Sequence, residues 1–357
     1  MISPETFQAI VSGKRQDLVG RMARGGFCLA EYPYRLATSL RNRRYDRDPS
    51  LAQRVDVPVI SVGNLTLGGT GKTPVVAWLA RWFRNQNVRV SLVSRGYGAT
   101  REGRNDEAKE LEAKLPDVPH LQNPDRVAAA RVAIEELDTQ LILLDDGYQH
   151  RRLARDLDIV LIDATNPFGY DHVFPRGLLR ESVRGLSRAH VVALTRANLV
   201  DRATCNAIQE RVLKLAPRAT WVEITQRVAA LRTASGDERS IDTLPDGPWL
   251  AFCGIGNPAA FRLTLLDRNL PLADFRVYPD HHSFDTHTMS DLARWVQSFP
   301  QASAVLCTHK DLVKVAVDRL ATLPLFALML ELEIRRGETA LLERLRIIAA
   351  QVPADEA

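Results

Sequence analysis

From Pro49 onward, short apolar runs alternate with longer amphipathic stretches. "VPVISVGN" (57–64), "VRVSLVSRGYG" (88–98), "LILLDDGYQH" (141–150), "DLDIVLIDA" (156–164) and "AHVVALTRA" (189–197) each carry a nearly unbroken apolar core. Runs of this length read as strands buried on both faces, and the segments between them read as covering helices. One such helix is expected from about Lys72 to Asn85, with Val75, Val76, Leu79 and Phe83 on its apolar face. A second, "DRVAAARVAIEEL", begins with Asp125 as N-cap. The pattern predicts an α/β fold with a parallel sheet covered on both sides.

Near residue 225 the pattern changes. "ITQRVAALRTASGDERSIDTLPDGP" holds two short alternating runs around Ser235-Gly236-Asp237, a hairpin signal. Beyond it, "PWLAFCGIGNP", "ADFRVYPDHHSF", "SAVLCTHKD" and "LFALMLELEI" read as strands of a smaller α/β unit. The expected organisation is an N-terminal helical segment (1–48), a main domain (49–224), a hairpin linker (225–245) and a C-terminal α/β domain (246–357). In the first segment, Met22, Phe27, Leu29, Tyr32, Leu36 and Leu40 mark an apolar face, and Gly25, Gly26 and Pro33 would interrupt or kink the helix.

Composition narrows the class. Apolar residues at 45% and charged residues at 25% of 357 describe a globular chain large enough for two domains. A net charge of +4 is too small to imply nucleic acid. Arg21, Arg24, Arg35, Arg41, Arg43, Arg44 and Arg47 nevertheless crowd one end, which suits an anionic partner. Cys28, Cys205, Cys253 and Cys307 are widely spaced, so neither a disulfide framework nor a zinc site is expected. The chain has no apolar run long enough to span a bilayer and no signal-peptide pattern at its start.

The chemistry begins at "SVGNLTLGGTGKTP". Gly68, Gly69 and Gly71, with Thr70 among them, give a loop whose amides can turn toward an anion. Lys72 can reach the outer phosphates of a nucleotide, and the Thr73 hydroxyl can ligate magnesium. The following helix aims its positive end at the same place. Thr66 stands where the strict G-x-x-x-x-G-K-[ST] pattern has its first glycine. "LILLDDGYQH" has the form of a Walker B strand, with Asp145 at its carboxyl end, followed by Asp146, Gln149 and His150.

Read in order, "SVGNLTLGGTGKTP", "SRGYG", "NPDRVAAAR", "DDGYQHRRLARDLDIVLIDA", "FPRGLLRE", "AFCGIGNP" and "PDHHSF" closely resemble the tetraacyldisaccharide 4′-kinase family, the lipid A 4′-kinases. The resemblance runs from roughly Tyr34 to Lys314, and threonine at position 66 is normal within it. It implies transfer of the ATP γ-phosphoryl group to the 4′-hydroxyl of a tetraacylated glucosamine disaccharide 1-phosphate, with Mg2+. The implied fold is a P-loop α/β/α domain and a smaller α/β domain joined by a two-stranded linker. It implies that Asp106, in "GRNDEA", is the carboxylate that takes the hydroxyl proton and that His281, in "PDHH", pairs with it. Such a base contributes about a hundred- to ten-thousand-fold. Asp145, Asp146, Gln149 and His150 are implied near magnesium and the phosphates, together with Arg126, Arg180 and Glu181. Asn105 and Ala108 depart from the family's Gly-Asp-Glu-Pro pattern, His309 replaces a glutamate in "THKD", and Tyr148 replaces a leucine. The N-terminal segment is similar to the helix that family members place at the membrane, implying peripheral attachment at the cytoplasmic face of the inner membrane. No obligate protein partner is implied.

Two other classes compete. A P-loop GTPase or ATPase switch would act on a protein partner, but it usually carries an N-K-x-D motif, which is missing here. A lipid carrier without catalysis would explain the basic, apolar N-terminus but not Lys72, Thr73 and Asp145.

Overall fold

The computed structural model describes residues 4–96, 110–112, 114–267, 271–280 and 282–353. The chain divides into two units, Met1–Ile224 with Ile334–Ala357, and Thr225–Glu333.

In the first unit, helices α1 (Pro4–Val11) and α2 (Leu18–Arg47) precede a parallel sheet. Its strands are β1 (Val59–Asn64), β2 (Val90–Ser94), β3 (His120–Gln122), β4 (Leu141–Asp145), β5 (Leu157–Asp163), β6 (Val191–Thr195) and the start of β7 (Thr220–Arg232). Their order is β7-β6-β5-β1-β4-β2-β3, and adjacent strands run parallel. Every residue of β1, β4, β5 and β6 is buried, which is why these strands read as unbroken apolar runs. Helix α3 (Lys72–Arg84) buries Val75, Val76, Leu79, Ala80 and Phe83. Helix α4 (Arg126–Leu137) starts at Asp125, whose side chain accepts from the amides of Val127 and Ala128. Val127, Ala129 and Ala130 of α4 pack with Val59, Val93, Ile142 and Leu144. Helix α5 (Arg202–Leu215) packs Ile208 and Val212 on Val160, Ile162 and Leu194.

The chain leaves the first unit within β7. The second unit contains β8 (Glu238–Arg239), β9 (Trp249–Cys253), α6 (Pro258–Asp267), β10 (Leu272–Val277), α7 (Thr286–Gln297), β11 (Ala304–Thr308), α8 (His309–Val315), β12 (Arg319–Leu320) and most of β13 (Leu323–Arg336). Strands β10-β9-β11-β13 run parallel. Phe261 and Leu265 of α6 belong to one core cluster, Leu292, Trp295 and Val296 of α7 to another. The chain returns within β13.

The hairpin around Ser235-Gly236-Asp237 is present but short, pairing Leu231 with Arg239 and Arg232 with Glu238. The chain passes between the units on β7 and β13, which are far apart in sequence. Within the second unit Arg227 pairs with Glu331 at 2.7 Å, and Thr225 Oγ1 donates to Glu333 at 3.2 Å. Residues 334–353, expected with the C-terminal domain, lie with the first unit instead. Their helix, α9 (Glu338–Ala349), is tied there by Arg344 Nε, which donates to Thr220 Oγ1 at 2.5 Å.

Helix α2 also differs from expectation. It is continuous through Gly25, Gly26 and Pro33. Pro33 and Leu29 are both exposed, so the missing hydrogen bond falls on the side of the helix where it costs least. Leu18, Met22, Leu29, Tyr32, Leu36 and Leu40 are 55–74% exposed and share one side. Phe27 is not on it and instead meets Phe7 at 5.6 Å. Glu31, only 6% exposed, faces the body of the unit and accepts from the Val173 amide at 3.1 Å and from Arg176 at 3.3 Å.

Candidate active site

The loop between β1 and α3 has the geometry of an anion cradle. Gly68 (φ 105°) and Gly71 (φ 80°) hold conformations that side-chain-bearing residues resist. Gly71 is the N-cap of α3 and supplies no side-chain cap, so the first amides of the helix keep their donors. A Cβ at Gly68 or Gly69 would meet nothing within 4 Å, so the space over the loop is open. Thr70 Oγ1 is buried without a hydrogen-bond partner. Uncapped amides, an unpartnered hydroxyl and a helix N-terminus fit a polyphosphate.

The loop is fastened from behind. Thr195 Oγ1, at the end of β6, donates to the Thr70 carbonyl at 2.9 Å. Arg196 donates to the Gly69 carbonyl at 3.0 Å and pairs with Asp163 at the end of β5. The start of the loop is held by the "LLRE" segment. The Leu67 amide donates to the Leu178 carbonyl, and the Arg180 amide to the Leu65 carbonyl, both at 2.7 Å. Sequence reasoning missed Thr195, Arg196 and Asp163. Their only signal was a polar residue at the carboxyl end of an apolar run.

Lys72 lies at the mouth of the loop, its Nζ 3.6 Å from Asp146 Oδ1. Arg180 Nη1 donates to both oxygens of Asp146, at 2.8 and 2.7 Å. Burial alone would raise the Asp146 pKa, but Lys72 and Arg180 outweigh it and hold the carboxyl below its ordinary range. Asp146 follows Asp145, which ends β4 and is 6% exposed. Arg126, at the start of α4, is also 6% exposed, with its Nε buried and unpartnered. Burial and nearby Arg95 lower its pKa, while Asp146 and Asp145 oppose this. His150 is pushed down to about 4, by burial first and then by Arg126 and Arg155, so it is neutral at pH 7.

Gln149 and Glu181 form a second group. Gln149 Nε2 donates to the Asn64 carbonyl at 2.9 Å and to Glu181 Oε1 at 3.1 Å. Glu181, 1% exposed, also accepts from Arg188 at 2.9 and 3.0 Å and from Asn42 Nδ2 at 2.5 Å. Glu181 therefore already has a cation and two amides around it. Tyr148, which replaces a leucine of the family pattern, donates its hydroxyl to the Gly185 carbonyl, and Arg188 lies 4.7 Å above its ring.

The Thr73 hydroxyl and the Asp145 carboxylate are hard oxygen ligands of the kind magnesium takes, whereas Glu181, expected with them, is already engaged by Arg188, Gln149 and Asn42. Lys72, Asp145, Asp146, Gln149, His150, Arg180 and Glu181 all belong to the first unit. Asp106 and His281 lie outside the described residues. Next to the latter, in the second unit, Asp280 pairs with Lys310 at 3.2 Å, and the His282 carbonyl accepts from Lys314 at 3.2 Å. His282 stacks on Tyr278 with ring centroids 4.9 Å apart. His309, in the place of the family's glutamate, opens α8, whose N-cap Thr308 accepts from the Asp311 amide.

Comparison with known proteins identifies the family. The family model LpxK, tetraacyldisaccharide-1-P 4′-kinase, matches residues 27–348. A tetraacyldisaccharide 4′-kinase of Anaeromyxobacter sp. (strain Fw109-5) is 35% identical over 336 residues, covering 89% of each chain. That of Anaeromyxobacter sp. (strain K) is 34% identical over 368 residues, covering 97% of this chain and 96% of its own. Among solved structures, LpxK from Aquifex aeolicus in complex with ATP superposes with a TM-score of 0.70 at 27% identity, covering 91% of this chain and 99% of its own. With the phosphate loop, the acidic strand end and the match along most of its length, this chain belongs to the tetraacyldisaccharide-1-P 4′-kinase family.

Proposed function

We propose that this site transfers the γ-phosphoryl group of ATP to the 4′-hydroxyl of a tetraacylated glucosamine disaccharide 1-phosphate. The observation that carries the reading is the open, uncapped start of α3 with Lys72 beside it, facing a carboxylate–arginine pair at the end of β4. The loop amides and Lys72 bind the β- and γ-phosphates, and Arg180 and Arg126 add charge where it accumulates during transfer. Asp146 keeps Lys72 and Arg180 oriented before the nucleotide arrives. Thr73 and Asp145 would hold magnesium, which would supply neutralisation of charge on the phosphate oxygens, and Glu181 would join them only by giving up one of its present partners. Gln149 and the neutral His150 contribute hydrogen bonds to the same region. By the family resemblance, Asp106 takes the proton of the sugar hydroxyl and His281 is a further catalytic residue.

The acceptor carries acyl chains, so the enzyme must meet it at a membrane. The exposed stripe of α2 supports attachment through that helix, with the neighbouring arginines drawn to anionic headgroups. No helix among the described residues is long and apolar enough to cross a bilayer. From the exposed stripe of α2 and the family resemblance, we read the attachment as peripheral, at the cytoplasmic face of the inner membrane. The test is a radiolabelled-ATP assay with purified disaccharide 1-phosphate lipid in mixed micelles. Label is expected in the lipid with wild-type protein and lost with Lys72→Ala. Steady ATP hydrolysis with no labelled lipid would overturn the reading in favour of a nucleotide switch.

A further inference from the structure

Helix α2 grips the body of the first unit by its polar side. Asn42 Nδ2 donates to Glu181 Oε2, and Glu181 Oε1 accepts from Gln149 Nε2. The same Gln149 nitrogen donates to the carbonyl of Asn64, the last residue of β1, where the phosphate loop begins. A second tie runs alongside. Arg151 Nη1 donates to the Asn42 carbonyl at 2.9 Å and pairs with Asp46 at 2.7 Å, with its guanidinium 5.3 Å from the Tyr45 ring. Arg151 directly follows His150. One turn of α2 is thus joined to the segment that carries Gln149 and His150 directly through Arg151 and indirectly through Glu181.

These ties are costly for the helix alone. Asn42 Oδ1 is buried and unpartnered, and alanine would favour the helix more. The amide's contribution lies in what it does for Glu181. The opposite side of α2 carries the exposed stripe of Leu29, Leu36 and Leu40. A shift of α2 reaches Gln149 and the end of β1 through groups in direct hydrogen-bond contact.

We propose that Asn42 and Arg151 are positioning residues that transmit the seating of α2 to the Gln149–Glu181 pair and the root of the phosphate loop, so that lipid contact at the outer side of α2 raises turnover. The inference rests on the phosphotransfer reading above. The test uses full-length enzyme, ATP and a short-chain, water-soluble acceptor, with and without acceptor-free vesicles of phosphatidylglycerol and phosphatidylethanolamine. Vesicles are expected to raise the wild-type kcat. Asn42→Ala and Arg151→Met should each lower the vesicle-stimulated kcat by roughly tenfold, the scale of one charge-assisted hydrogen bond. Both KM values and vesicle sedimentation should stay unchanged, and Arg151→Lys, which keeps a donor and a charge, should recover most of the loss. Stimulation of the variants equal to wild type would overturn the proposal, as would a wild-type enzyme indifferent to vesicles. A loss confined to KM or to sedimentation would also overturn it, making these residues docking contacts. A wild-type enzyme that labels no acceptor under any condition would instead remove the phosphotransfer reading itself.

Discussion

Asp146 binds Arg180 through a single guanidinium nitrogen that reaches both carboxylate oxygens, at 2.7 and 2.8 Å. Lys72 approaches the same carboxylate at 3.6 Å, so one anion holds two phosphate-seeking cations in place. Lys72→Ala should lower kcat/KM by about a thousandfold, the upper range for removing one donor to developing charge. Asp146→Asn should cost less, because both cations remain but lose their common anchor. The double variant should be no slower than Lys72→Ala alone, since the two side chains act as a unit. Multiplicative losses in steady-state kinetics would separate them.

His150 supplies a pH prediction. Its folded pKa is depressed to about 4 from an ordinary 6.5. Between those values the unfolded chain binds the proton and the folded chain does not. Stability is therefore full above about pH 6.5 and is lost progressively as pH falls toward 4, by at most about 3 kcal/mol. His150→Gln should flatten that part of the stability–pH curve measured by urea denaturation. An unchanged slope would show that other groups set it. The same depression keeps His150 neutral through the working range, so it should add no limb to the kcat profile between pH 6 and 9.

The parts of this site that were legible in sequence are those encoded locally. β1 and β4 are buried on both faces and so read as apolar runs, and the glycine loop with Lys72 and Thr73 is contiguous. What was not legible depends on pairing across the fold. Nothing in "VVALTRA" says that Arg196 reaches the Gly69 carbonyl, or in "RNRRYD" that Asn42 reaches Glu181. The linker shows the same limit. Ser235-Gly236-Asp237 announces a turn locally, whereas the second crossing strand, β13, comes some ninety residues later and carries no mark of its role. The continuity of α2 was hidden because propensity penalises Gly25, Gly26 and Pro33 individually, while the helix is fixed by Glu31 and Asn42.

Gly63 lies where a Cβ would come within 2.6 Å of the Tyr148 Cβ, both atoms near the backbone and neither able to swing aside. Gly63→Ala should destabilise the first unit by about 1–3 kcal/mol through overpacking. Because Tyr148 sits beside Gln149, the same change should also weaken nucleotide affinity. Thermal melting with and without an ATP mimic checks both. Full stability with full affinity would mean that β1 and the Tyr148 turn separate more easily than their packing indicates.

In the second unit, Asp311 is fully buried and accepts twice from the Gly254 amide, at 3.1 Å, and once from the Thr308 hydroxyl at 2.6 Å. It thereby fixes the end of β9, and a Cβ at Gly254 would touch Pro279 and His282 of the "PDHH" turn. Asp311→Ala leaves a buried amide without an acceptor and should cost about 3 kcal/mol. Hydrogen exchange should show faster opening of β9 and β11, with the strands of the first unit unaffected. Uniform acceleration across both units would mean that they unfold together.

The outer side of α2 is apolar and open to solvent. Leu29, Leu36 and Leu40 are 74%, 60% and 55% exposed, and replacing them removes almost no packing within the protein. Each gains about 1 kcal/mol by partial insertion into a lipid interface, less than the value for full burial. Changing all three to serine should therefore weaken binding to anionic vesicles by roughly a hundredfold. Thermal stability should stay within about 0.5 kcal/mol, because the polar anchors Glu31 and Asn42 are retained. Turnover of a short-chain, water-soluble acceptor in the absence of vesicles should be unchanged, while turnover of vesicle-borne acceptor falls. Deleting everything before Pro49 is a less discriminating experiment: it also removes Asn42 and leaves Glu181 without one of its donors, so it should depress both reactions. Equal vesicle binding by the serine variant would place the membrane contact elsewhere on the protein, whatever the truncation does.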